Sequence, residues 1–307
     1  MLDVTRLRVL ASVARHGSVT AAAQALGYAQ PSISHHLSRL EAETGSRLVQ
    51  RVGRGIRLTD AGRTLAERAE EILGRLDAAE AELAAHTGLR AGRVRLAAFP
   101  SALGTFVPVA AASFTAAHPD VQLHFTEAEP ADAARLLRSG EVDVALLFDH
   151  PDAPADRDDG LRRIRLLTEP IHLVTPADLS GDTLADHAAR RWIAGCERCR
   201  IHLMRACAAA GFTPDIGFTT DDYVAVQALV AAGLGVTTLP GLALAAHRNA
   251  AVRVVPLLDH ERVVGAAVHG AAPDPPATAA LLTHLTTAAA TALTRPQTQA
   301  TSSPSGV

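Results

Sequence analysis

The 307-residue chain contains no lysine; all 29 of its basic residues are arginine. Together with the abundance of alanine, this points to a biased base composition in the genome more than to a function. Aromatic residues make up only 3% of a chain that is 48% hydrophobic, so its core must be built mainly from Ala, Val and Leu. Three cysteines are too few for a disulfide framework and, without a second ligand pair, do not make a zinc site. No bulky apolar run of about 18 residues occurs, and the Thr- and Ala-rich stretch near 279–293 makes a poor membrane span. No signal peptide is visible, since the first residues already read as an amphipathic helix with Leu7, Leu10 and Val13 on one side. A cytoplasmic protein with reduced thiols, and no membrane partner, is expected. The pattern of an enzyme is also missing, with no nucleophile elbow, metal cluster or cofactor loop. Gly233 and Gly235 in "AAGLGVTTLP" fit neither a dinucleotide fingerprint nor a Walker loop and read as a tight turn from helix to strand. No cofactor or metal is therefore expected.

The net charge of −3 argues against a surface that coats nucleic acid uniformly, but the charge is unevenly placed. Residues 1–58 hold eight arginines against Asp3, Glu41 and Glu43, a local excess of five positive charges. Within this basic end, Ile33, Leu37 and Leu40 make one apolar stripe at helical spacing. Gln30, Pro31, Ser32, Ser34, His35 and Arg39 lie off that stripe. Their short or hydrogen-bonding side chains can approach phosphates and base edges. A shorter helix precedes it, capped by Ser18, carrying Thr20, and ended near Gly27. Helix, glycine turn, helix is a helix-turn-helix, whose second helix enters the major groove. Arg51, Arg54 and Arg57, interleaved with glycines, then read as a basic hairpin wing.

The run "GSVTAAAQALGYAQPSISHHLSRLEAETGSRLVQRVGRGIRLTDAGRTL" resembles the winged helix-turn-helix of LysR-type transcriptional regulators. One departure is His35-His36, where the family more often has an arginine followed by a polar residue. After it, Thr59 should cap a helix to about residue 86, with Leu65, Ala69, Ile72, Leu76, Ala79 and Leu83 in a heptad seam. A lone helix about 40 Å long with one apolar seam needs a partner, which implies a homodimer on a pseudo-palindromic double-stranded DNA site.

Beyond a hinge at 87–92, strands and helices alternate: strands at 93–99, 121–127 and 142–148, helices at 102–117 and 131–139. A second α/β unit follows from residue 171. Separate strands are expected at 252–257 and 263–269, then a helix at 277–293. The pieces "GRVRLAAF", "HPDVQLHFTEAEP", "LRSGEVDVALL" and "AGFTPDIGFTTDDYVAVQALVAAGLGVTTLP" resemble the effector half of the same family. The resemblance implies an α/β fold with an N-terminal all-α winged helix-turn-helix, and an effector half built like a periplasmic binding protein. The expected domains are a DNA-binding domain at 1–58, a linker and dimerisation helix at 59–88 and an effector domain at 89–294. The last divides into a first subdomain, about 91–165 with 263–294, and a second at 166–262. A disordered tail follows at 295–307. The implied function is sequence-specific regulation of transcription by a small-molecule effector, as a homodimer or homotetramer that meets RNA polymerase.

Ligands of open α/β sheets bind beyond the carboxyl ends of strands. That rule selects Pro100 and Ser101, Glu127, Phe148, and Gly195 with Cys196 as effector-binding residues. Ser101 could equally serve as a helix N-cap. Cys196 and Cys199 form a C-x-x-C, with Cys207 eight residues further on and too distant along a helix for a disulfide. Arg198, Arg200 and a helix N-terminus would lower a thiol pKa there. Peroxide-sensing members of the resembled family use two cysteines in this region, at a different spacing, so a thiol redox switch is the alternative reading.

Overall fold

The structure, a computed structural model, describes residues 2–52, 55–86, 92–151, 160–270 and 272–293. The chain divides into two compact units. One comprises residues 1–89 with 135–143, the other residues 90–134 with 144–307.

The first unit opens with α1 (Val4–His16), capped by Asp3, and α2 (Val19–Leu26), capped by Ser18, whose hydroxyl accepts from Ala21 N. Gly27 ends α2 at φ 68°, a left-handed conformation that glycine adopts without a Cβ penalty. The chain then enters α3 (Gln30–Thr44) through Pro31, tolerated in a first turn where no N–H partner is needed. Ile33, Leu37 and Leu40 point inward and join Leu7, Leu10, Val13 and Leu48 in one core. A two-stranded antiparallel hairpin follows, β1 (Val49–Val52) and β2 (Gly55–Leu58). Thr59 then caps α4 (Asp60–His86) by accepting from Gly62 N at 3.0 Å. Gly62 is packed against the Leu48 carbonyl so closely that any Cβ would run into it.

The helix seam needs correction at its start. Ala69 is buried in this unit's own core and Leu65 packs against it, because the first turns of α4 lie on α1. Ile72, Leu76 and Ala79 are exposed, so the free part of the seam begins one heptad later. The Leu83 side chain lies outside the described residues.

The second unit has one eight-stranded sheet, in the order β4-β3-β5-β10-β6-β9-β7-β8. Its elements are β3 (Arg93–Ala98), α5 (Pro100–Leu103), α6 (Phe106–Ala117), β4 (Gln122–Glu127), the first half of α7 (Pro130–Arg138, whose residues from 135 on count with the first unit), β5 (Val144–Asp149) and β6 (Leu161–Pro176). After a 3-10 turn at Ala185–His187 come β7 (Arg191–Ala194), α8 (Glu197–Ala209), β8 (Asp215–Thr219), α9 (Tyr223–Ala231), β9 (Val236–Pro240), α10 (Gly241–Ala246), β10 (Val252–His269) and α11 (Pro276–Ala289). Each end of the sheet is a parallel α/β half with its own core. One is built on Phe99, Phe106, Phe114 and Phe148, the other around Trp192 and Val226.

Between the halves run β6 and β10, antiparallel to each other along most of their length. The residue pattern suggests separate strands at 252–257 and 263–269, and no strand between 149 and 170. The structure joins them into single strands that belong to both halves. Their ladder is irregular only locally, between Pro256 and Glu261 and between Val264 and Gly265. The expected helix at 102–117 is likewise broken at Gly104 and Thr105 into α5 and α6. The last helix stops at Ala289 rather than Leu293. Residues 294–307, expected to be disordered, lie outside the described residues.

Candidate functional site

Two surfaces carry the polar groups selected from sequence. The first is the outer face of α3. Gln30, Pro31, Ser32, Ser34, His35 and Arg39 are exposed there, opposite the buried Ile33, Leu37 and Leu40. Thr20 is exposed on α2, while the Ser18 hydroxyl is engaged as the helix cap. His36 is partly covered, its ring 5.9 Å from that of Tyr28. In the hairpin Arg57 is exposed; the Arg51 side chain and Arg54 lie outside the described residues. No residue pattern hints at how hairpin and helix are held together. Glu41, near the end of α3, accepts from Leu48 N at 2.8 Å and Val49 N at 3.2 Å through one carboxylate oxygen. This fixes the start of β1 against the helix that carries Ser34 and Arg39.

The second surface is a cleft of about 500 Å³, partly open to solvent, where the two α/β halves meet. Pro100, Ser101, Phe148, Gly195 and Cys196 line it, and all five lie at or just after strand ends. Glu127 does not. It is the exposed last residue of edge strand β4, and the cleft takes Glu129 instead, after the chain has turned toward α7. Ser101 is not an N-cap; Phe99 occupies that place. The Ser101 hydroxyl accepts from Arg262 Nη2 at 2.7 Å.

Arg262 is the residue that sequence reasoning missed. It sits in the middle of β10, where neither a strand end nor a motif marks it. Its Nε donates to Glu169 Oε1 at 2.6 Å, with the two side chains 3% and 0% exposed. The guanidinium carbon lies 4.3 Å from the centre of the Phe148 ring and 5.0 Å from that of Phe99, which are edge to face with each other. The second oxygen of Glu169 accepts from Leu242 N, in the first turn of α10, at 2.6 Å. Ser101, Arg262, Glu169 and Leu242 thus form one buried chain through the cleft wall.

The remaining lining includes Glu129, Thr220, Asp221, Tyr223 and Thr238. Burial raises the Glu129 carboxyl to about 7 and also raises that of Asp221. Thr220 and Asp221 follow β8, so their place at a strand end is the signal that marks them. The Cys196 and Cys199 sulfurs are 3.3 Å apart, with Cys196 as the N-cap of α8. The pKa of Cys196 is raised by its hydrogen bond to Cys199 and by burial. Cys199 is lowered by that hydrogen bond, by His150 and by Arg262. The lowering therefore does not come from Arg198, which pairs with Asp149, or from Arg200. Cys207 is fully buried in the second half's core. Gly233, at φ 74°, makes the turn from α9 to β9.

Among the described residues no cluster of three or more metal-ligating groups occurs, and no helix is long and apolar enough to cross a membrane. Residues 4–63 match the family model described as bacterial regulatory helix-turn-helix protein, lysR family. Residues 87–290 match the model described as LysR substrate binding domain. The uncharacterized HTH-type transcriptional regulator YcgK of Bacillus subtilis is 29% identical over 78% of this chain and 81% of its own. Among solved structures, a variant of full-length OxyR from Pseudomonas aeruginosa superposes with a TM-score of 0.67 at 22% identity, covering 93% of this chain and 95% of that one. Full-length CbnR, a structure solved in complex with its target DNA, gives 0.59 at 23%, covering 94% and 100%.

Proposed function

Since the chain belongs to the LysR family of DNA-binding transcriptional regulators and is not an enzyme, we propose that it senses a small effector in the Ser101–Arg262 cleft. The observation that carries this reading is the buried chain Ser101–Arg262–Glu169–Leu242, which runs from α5 in the cleft wall through β10 and β6, the two long strands that both halves share, to the first turn of α10. A ligand that bonds Ser101 competes with Arg262 for that hydroxyl and so acts on the strands that the halves share.

The chemistry of the lining narrows the effector. The cation of the cleft is already engaged by Glu169, and the lining carries two further carboxyl groups, Glu129 and Asp221. A purely anionic effector is disfavoured. A small molecule with hydrogen-bond donors at one end and an apolar body against Phe99 and Phe148 suits the walls. DNA is read by the exposed face of α3 and by the wing, as a dimer or tetramer paired along α4. RNA polymerase is the machinery that such binding would influence.

Genome-wide mapping of DNA bound by the tagged protein, with and without a thiol oxidant, tests the proposal. Discrete sites containing an interrupted inverted repeat support it, and the neighbouring genes narrow the effector. Failure to bind any discrete site, in cells or on the promoter nearest its own gene, sinks it. A second reading rests on the 3.3 Å Cys196–Cys199 approach within the cleft, namely that oxidation of this dithiol is itself the signal. Occupancy that shifts with oxidant in the natural protein, but not in Cys196→Ser, would favour that reading.

A further inference from the structure

A second hollow lies on the opposite face of α10 from the effector cleft. Ala243 lines the cleft, whereas Gly241, Leu244 and Ala245 turn to the other side. The helical period of 100° per residue separates these faces. On that side the hollow is closed by Pro170 and His172 of β6, by Val254 of β10 and by Leu293, and it encloses about 870 Å³, part of it open solvent. Its walls are mostly apolar. Its polar side chains are two, Arg248 and His172.

Arg248 stands at the rim, in the loop that follows α10, and no described carboxylate pairs with it. A guanidinium presents a planar fork that matches a carboxylate, and here the fork is open. His172 has a buried Nδ1 without a hydrogen-bond partner. A buried polar atom left unpaired costs free energy, so the site is more favourable with an acceptor in it. Glu169, the acid nearest along β6, cannot serve, because its two oxygens already hold Arg262 and Leu242 N.

We propose that this hollow binds a small organic carboxylate, with the carboxylate between Arg248 and His172 and the apolar body against Leu244, Val254 and Pro170. Burial lowers the His172 pKa most, the Leu239 and Pro170 backbone acts against it, and the nearby positive charge of Arg248 lowers it again. A bound carboxylate offsets the effect of Arg248, so binding draws a proton onto His172 and tightens as pH falls. Occupancy of this hollow bears on α10 from behind, and α10 is the element Glu169 anchors to Arg262. The hollow does not depend on whether the first cleft holds an effector.

The test uses the full chain and para-fluorobenzoate, followed by fluorine NMR. Saturable binding is expected. Loss of the charge-assisted pair in Arg248→Ala should weaken it about tenfold or more, with Arg248→Lys between the two. Ser101→Ala and Thr238→Ala, whose side chains line the effector cleft and not this hollow, should change this binding far less than Arg248→Ala. The gain in affinity from pH 8 to pH 6 (values chosen to bracket an ordinary histidine at about 6.5) should vanish in His172→Asn. No binding up to about 10 mM would overturn the proposal, since that is too weak to matter. Equal affinity in Arg248→Ala, or loss of binding only in the Ser101 and Thr238 variants, would overturn it as well by placing the ligand elsewhere.

Discussion

Arg262 donates to Glu169 across 2.6 Å with almost no water at either side chain. Ion pairs of this kind owe their persistence to geometry, because desolvation of two charges consumes most of their attraction. Removing one partner is therefore far more harmful than removing both. Glu169→Leu and Arg262→Leu should each destabilise the second unit by roughly 3–5 kcal/mol, whereas the double variant should lose much less than the sum. Urea unfolding of the four proteins measures the coupling. Additive losses would show that the pair does not act as a unit.

The outer face of α3 allows a sharper test of DNA recognition. Arg39→Ala and Ser34→Ala remove exposed groups, so they should weaken operator binding while leaving the melting temperature unchanged. Arg57→Ala, on the wing, should weaken binding to all sequences alike and flatten the salt dependence by about one unit of slope. Glu41→Ala touches no exposed face of α3, yet it frees Leu48 N and Val49 N and loosens the wing. Reduced affinity with sequence preference intact is expected from it. Operator affinity unchanged in both Arg39→Ala and Ser34→Ala would refute the groove assignment.

What could be read from the residues alone differs between the two units, for a physical reason. The helix-turn-helix is specified locally: Ser18 caps, Gly27 turns, and Ile33, Leu37 and Leu40 repeat at the helical period. The cleft was legible where it follows strand ends, at Ser101, Phe148 and Cys196. Arg262 and Glu169 were not, because each lies inside a long strand and acquires its role from a partner 93 residues away. The long strands themselves were misread as fragments. Pro170, Pro256 and the irregular ladder between Pro256 and Glu261 break the alternation on which strand recognition depends. The heptad at Leu65 and Ala69 was real as a pattern, but α1 claims those residues before a second chain can.

The exposed remainder of that heptad gives a prediction about assembly. Ile72 and Leu76 are 38% and 40% exposed on a helix whose other face is occupied by α1. Ile72→Glu with Leu76→Glu places like charges in a seam that we assign to a second copy. Sedimentation should show a shift to smaller species, with little change in unfolding of the monomer. Ala69→Glu should behave differently and unfold the first unit, since that residue is 0% exposed in its core.

The thiols differ enough to be told apart chemically. Cys207 is buried, and burial raises its pKa to about 11, so it should resist both oxidant and alkylating agent in the folded protein. Mild peroxide should join Cys196 and Cys199, whose sulfurs need approach by little more than 1 Å to reach a bond of about 2.05 Å. Peptide mapping after blocking free thiols would detect the bridge. A bridge involving Cys207, or none at all, would remove the redox reading.

Glu129 links the cleft to pH. Burial raises its carboxyl from 4.5 to about 7 in the folded chain, and Oε2 has no hydrogen-bond partner. Between those two values the unfolded chain has released this proton and the folded chain still holds it. Stability from this group is therefore complete below about 4.5 and declines as pH rises through about 7. Glu129→Gln keeps the shape and removes the titration. Its melting temperature should match that of the natural protein near pH 4.5, exceed it increasingly toward pH 7, and hold a constant margin above. The same proton should matter to the effector. A ligand that accepts a hydrogen bond from neutral Glu129 will bind more weakly above pH 7, and one that donates to the carboxylate will bind more tightly. Comparing an effector's affinity in the two proteins across that range thus reports which kind of group it presents. Parallel stability curves for the two proteins would mean that Glu129 is ionised in the cleft throughout, and that the walls are more polar than its burial implies.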